Sequence, residues 1–160
     1  MRASLSLGAA SLALALALPG GASAAPVQCG ETITADTTLE SDLSCSTQSA
    51  IVIGAPGITL DLAGHSILTS YTAILNQGHD DVRIKNGHVA SDGTGIELNG
   101  VSGNVIRDVE LGGYYSGVVL NGSSGNRIVS NQLLSVSLSI GNGSNDNVIR
   151  GNTVLKFEGV

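Results

Sequence analysis

Apolar residues recur along this chain in short runs, at 51–53, 58–62, 82–84, 95–98 and 118–120, each closed by Gly, Asn, Asp or Pro. Runs of this length bounded by turn formers predict short β-strands. After residue 24 no window keeps a helical period, and the 22 glycines argue against helices.

The runs also repeat. The stretch 103–133, GNVIRDVELGGYYSGVVLNGSSGNRIVSNQL, passes through two strands and two glycine-rich bends, then restarts at Gly125-Asn126, 22 residues after Gly103-Asn104. Extending that register gives one apolar column at Leu62, Ile84, Ile106, Ile128 and Ile149. A second column is Ile67, Val89, Leu111, Leu133 and Val154; a third is Ile74, Ile96 and Val118; a fourth is Leu98, Leu120 and Ile140. Several columns held at one spacing predict stacked repeats. With two or three strands per coil, the architecture is an all-β parallel solenoid of about 22 residues per coil and roughly five coils over 51–160. Stacked strands lie about 4.8 Å apart. The columns fill a narrow interior, where each buried side chain contributes about 1.5–3 kcal/mol. In this register Asn86, Asn131, Asn152 and the Gly-Asn pairs read as bend residues tolerant of positive φ.

The first residues stand outside this pattern. Arg2, the apolar run 12–18 and Ala22-Ser23-Ala24 form a secretory signal peptide over 1–24, with cleavage expected after Ala24. Pro19-Gly20-Gly21 cuts the run short of the ~20 residues a membrane anchor needs, and no later segment is long enough to span a bilayer. The mature protein is therefore expected to be secreted or periplasmic.

Cys29 and Cys45 are the two cysteines, and both follow the export signal. Oxidation is permitted there, so they are expected to pair, with two buried thiols as the alternative. The polar, β-branched segment between them makes 25–50 an N-terminal cap, which a stacked-repeat protein needs over its first layer. The domain 51–160 follows with no comparable C-terminal cap, so truncation of a longer solenoid, or self-association through the open last coil, is expected.

Charge narrows the partners. The formal net charge is −6 with 12% charged residues, 2% aromatics and no Trp, which excludes an extended nucleic-acid surface. Yet the outward positions beside the first apolar column read Asp61, Arg83, Val105, Arg127 and Val148 on one side, and Ala63, Lys85, Arg107, Val129 and Arg150 on the other. Arg83, Lys85, Arg107, Arg127 and Arg150 thus share one exposed strip, which can attract an anionic polymer such as an acidic polysaccharide. The plainer alternative is a solvated strand face on which Asp61 pairs with Arg83. Tyr114-Tyr115 occupies a bend and can stack on a sugar ring or simply cover the coil.

Cys-Gly-Glu-Thr-Ile-Thr from Cys29, Asp42-Leu-Ser-Cys45, Gly57-Ile-Thr-Leu-Asp-Leu-Ala-Gly-His-Ser-Ile67, Gly125-Asn-Arg-Ile-Val-Ser-Asn-Gln-Leu133 and Asp146-Asn-Val-Ile-Arg-Gly-Asn-Thr-Val154 resemble the secreted right-handed parallel β-helix family. That family includes pectate lyases, alginate epimerases and lyases, and NosD-type periplasmic proteins linked to copper-enzyme maturation. The match follows the structural repeat, so it implies the fold more sharply than an activity. Lyases of this kind imply Ca²⁺ held by several carboxylates and a basic residue as proton acceptor, for which Arg107 or Lys85 would stand. Asp61 is the strip's sole carboxylate, so the residues themselves call for no cofactor and leave the catalytic residues unassigned. Asp80-Asp81 before Arg83-Ile-Lys85 is superficially similar to polygalacturonases, but adjacent turn acids do not straddle a glycosidic bond. His65, His79 and His88 lie within two coils, and no Cys or Met cluster joins them as soft-metal ligands. The expected function is binding or modification of an anionic extracellular polysaccharide. The alternative is a non-catalytic surface or periplasmic scaffold, including a NosD-like maturation role.

Overall fold

A computed structural model describes residues 26–156, so the expected signal peptide lies outside the described residues. Among the described residues every regular element is a strand and every strand pairing is parallel. The first coil holds β1 (Glu31–Ile33), β2 (Thr37–Thr38) and β3 (Leu43–Cys45); the second holds β4 (Ile51–Ile53), β5 (Thr59–Asp61) and β6 (Ser66–Thr69). The third holds β7 (Ile74–Gln77) and β8 (Arg83–Ser91), and the fourth β9 (Thr94–Asn99) and β10 (Val105–Gly113). The fifth holds β11 (Ser116–Asn121), β12 (Arg127–Val129) and β13 (Gln132–Leu134); the sixth holds β14 (Ser137–Gly141), β15 (Val148–Arg150) and β16 (Thr153–Leu155).

Each coil runs through three faces of a prism. The first face is the six-stranded sheet β1-β4-β7-β9-β11-β14. The second stacks β2, β5, the first half of β8, the first half of β10, β12 and β15. The third stacks β3, β6, the remaining halves of β8 and β10, β13 and β16. β8 and β10 turn the corner between these two faces without breaking, at Asn86 and Asp108 with φ of 60° and 55°. The segment expected as a cap supplies the first coil itself, and the bridge between Cys29 and Cys45 is formed.

Parallel strands in register stack like on like, and so the inward columns form the core. Ile67, Val89 and Leu111 pair in sequence on the third face, as do Ile74, Ile96 and Val118 on the first. Most of these side chains are fully buried. In the sixth coil the same columns are represented by Ile140, Ile149 and Val154, which are exposed.

The first apolar column differs from its expected register at one point. Leu60, not Leu62, lies beside Ile84. From Leu60 to Ile67 the second coil uses two more residues than Ile84 to Val89 uses in the third, and the excess forms a corner at 62–65, with Ala63 at φ 50° and the His65 amide donating to the Leu62 carbonyl. Leu62 still points inward and fills the room left by Gly87, where a Cβ would fall 2.4 Å from the Leu62 Cβ.

The asparagines divide into two groups. Asn86 has the positive φ expected of it, but Asn131 and Asn152 do not; in the Gly103-Asn104 and Gly125-Asn126 pairs the glycine carries the turn. The freed asparagines point inward as ladders. Asn126 Oδ1 accepts from the backbone and side-chain amides of Asn104, and Asn147 Oδ1 does the same for Asn126. Asn131 and Asn152 repeat the arrangement at the next corner. Asn76, fully buried in an otherwise apolar column, donates to the His79 carbonyl and to Asn104. Buried polar groups persist when every donor and acceptor finds a partner, as these do.

Candidate functional site

The second face gathers the cations. Its outward columns are Thr59, Arg83, Val105, Arg127 and Val148, and Asp61, Lys85, Arg107, Val129 and Arg150. The two-residue corner shift moves Asp61 beside Lys85 rather than Arg83, so the expected Asp61–Arg83 pair is replaced by Lys85 Nζ to Asp61 Oδ2 at 2.7 Å. That ammonium, with the Ala63 amide and the Asn86 side chain, holds the Asp61 carboxyl below the usual carboxylate range. Arg107 pairs with Asp108 at the corner. Arg83, Arg127 and Arg150 make no ion pair among the described residues. Two of the five strip cations are therefore already engaged, and three remain presented to solvent.

The tyrosines belong elsewhere. Tyr114 and Tyr115 follow β10 beyond the third face and are 82% and 73% exposed, so the structure does not join them to the cationic columns. Tyr114 instead borders an open groove of about 690 Å³ on the third face, together with Leu68, Ala90, Asp92, Gly112 and Leu134. The strand alternation that isolates the inward columns also places Leu68, Ala90, Gly112 and Leu134 in one outward column. The 22-residue spacing is the signal in the sequence for this surface, and its small middle members hide the column.

The histidines are dispersed between partners. His65 Nδ1 is 3.3 Å from Asp42 Oδ1, and His88 Nδ1 is 3.5 Å from Glu110 Oε1. The Ser66 backbone amide, then the imidazole of His65, lower the Asp42 carboxyl below its ordinary range. His79 sits at another corner, where its backbone is bound by Asn76.

Fold and surface together define a parallel β-solenoid with one cationic face and one grooved face. The chain belongs to the family described as periplasmic copper-binding protein (NosD), whose model matches residues 30–159. No curated protein and no solved structure matches it. A periplasmic family agrees with a location outside the cytoplasm, and no helix among the described residues is long and apolar enough to cross a membrane.

The family description raises copper, and the donors here do not fit it. Among the described residues no three His, Cys, Asp or Glu side chains converge on a metal-sized space. Both cysteine sulfurs are spent in the disulfide, and His65 and His88 each turn to a carboxylate. Soft-metal sites need thiolate, thioether or clustered imidazole donors facing one point.

Proposed function

We propose that this chain is a non-catalytic periplasmic scaffold that serves the maturation of a copper enzyme through protein contacts, without holding the metal in its own described coils. The family match over residues 30–159 carries this reading. The rigid stack supports it: consecutive coils are tied by backbone ladders on three faces and by internal asparagine ladders. A prism of this kind presents fixed surfaces and has few moving parts. In a strain lacking the gene, the periplasmic copper enzyme should be exported but metal-deficient, and the chain supplied in trans should restore its metal content. Full metal loading in the deletion strain would overturn the proposal.

A second reading rests on the three unpaired arginines. Arg83 and Arg127 stand two coils apart, about 10 Å at the inter-strand spacing, with Arg150 beyond them. On this reading the second face binds an acidic polysaccharide. Arg83→Glu with Arg127→Glu should abolish retention on immobilised polygalacturonate at low salt; unchanged retention would dismiss it. Arg107 is a poorer choice for that test because Asp108 already engages it.

A further inference from the structure

The groove on the third face is not explained by the requirements of the coil. Its floor is Ala90 and Gly112, flanked along the column by Leu68 and Leu134, three coils or about 14 Å apart, with Ser44 of the first coil beyond Leu68. Gly112 is informative because the backbone does not require it. Its φ is not left-handed, and an added Cβ would meet nothing nearer than Leu134 Cβ at 4.0 Å. The neighbouring Gly113 is the contrasting case, with φ 140° and a Cβ that would fall 1.8 Å from the Ser91 carbonyl. A glycine in a strand, where a branched residue would fit and pack better, sacrifices stability. At Gly112 the effect of that sacrifice is an open groove.

The surroundings select an occupant. Leu68, Leu134 and the 82% exposed ring of Tyr114 offer apolar walls, and Leu68 is itself 47% exposed. Among the described residues no Lys or Arg lines the groove, and Asp92 on its rim makes no ion pair. We infer that the groove docks an extended segment of a partner protein, with one large apolar side chain over Ala90 and Gly112 and an adjacent Lys or Arg paired with Asp92. Anchors of this kind, desolvated between apolar walls, carry most of the energy of protein contacts. Because the strand ladders already fix the backbone of the floor, only the wall side chains lose freedom on binding. This inference rests on the scaffold reading and gives it a contact surface separate from the arginine face.

The chain has no Trp, so the emission of a tryptophan peptide can be followed against no tryptophan background. Titration of the amidated tripeptide Lys-Trp-Lys with the protein should give a saturable blue shift, with Kd on the order of 1 mM. Gly112→Val should weaken binding about tenfold or more while keeping the β-sheet circular dichroism; Ala90→Leu provides a second occlusion if that variant fails to fold. Asp92→Asn should weaken it about threefold, and Arg127→Glu should leave it unchanged. The inference is overturned if the shift does not saturate, if both occluding variants bind as well as the parent, or if Glu-Trp-Glu binds equally. Displacement of the peptide by cellotetraose at lower concentration would also overturn it and make the groove a sugar site. Failure of the peptide leaves the metal-loading result in the deletion strain untouched, and full loading there would remove the scaffold role even with peptide binding intact.

Discussion

Asn126 shows what single residues do in this molecule. It is fully buried, its Oδ1 accepts two bonds from Asn104, and its Nδ2 donates to Asn147 Oδ1 and to the Val101 carbonyl. Asn126→Ala would strand the Asn104 backbone amide and part of its side chain, at about 1–3 kcal/mol for each unsatisfied group. Chemical denaturation should therefore report a loss comparable to that of Ile128→Ala, for which about 2–5 kcal/mol is expected. The sequence made the isoleucine's role plain and the asparagine's obscure: Gly-Asn reads as a turn, and only the neighbouring coil reveals that glycine turns while asparagine bonds inward. Asp61 offers a second test. Its carboxyl lies below its ordinary range because Lys85 and two further donors favour the charged form. The stability it contributes is complete above the unfolded value near 3.9 and is lost as pH falls through the lower folded value. Thermal midpoints of Asp61→Asn and the parent should differ at pH 6 and converge as acid protonates Asp61; a difference independent of pH would refute this.

Among the elements, the first coil depends most on a covalent tie. Its strands are two or three residues long, and the Cys29–Cys45 bridge closes the segment that carries all three of them. Loop-closure entropy gives a bridge of this span about 3 kcal/mol. Cys29→Ser with Cys45→Ser should lower the thermal midpoint and raise amide exchange in 31–45, while the coils from β7 onward keep their protection. Equal loss of protection throughout would mean that the coils unfold as one unit. The remaining elements were legible because identical spacing makes identical neighbours: the third-face and first-face columns pair as the pattern predicts. Leu62 misled because a fixed spacing cannot show which of two alternating leucines takes the inward column when a corner contains two extra residues. That slip carried Asp61 to the wrong cation.

At the scale of the whole molecule, a net charge of −6 conceals a division between faces. Among the described residues five basic side chains occupy the second face, while the third-face groove has an unpaired carboxylate and no cation. Periodicity exposes the first of these surfaces because Arg and Lys are conspicuous; the second is written in what is small, Ala90 and Gly112, and so is inconspicuous in the sequence. The corner at 62–65 has a further consequence. It takes up two residues more than its successor, yet the strands on either side resume their pairing at Leu60–Ile84 and Ile67–Val89. Such a corner is a natural grafting point: four to six Gly and Ser residues inserted between Ala63 and Gly64 should leave the melting temperature within about 5 °C of the parent, since doubling a surface loop costs about 0.6 kcal/mol of closure entropy. A lineage could thus elaborate new loops on this prism at that corner while leaving the stack beneath it intact.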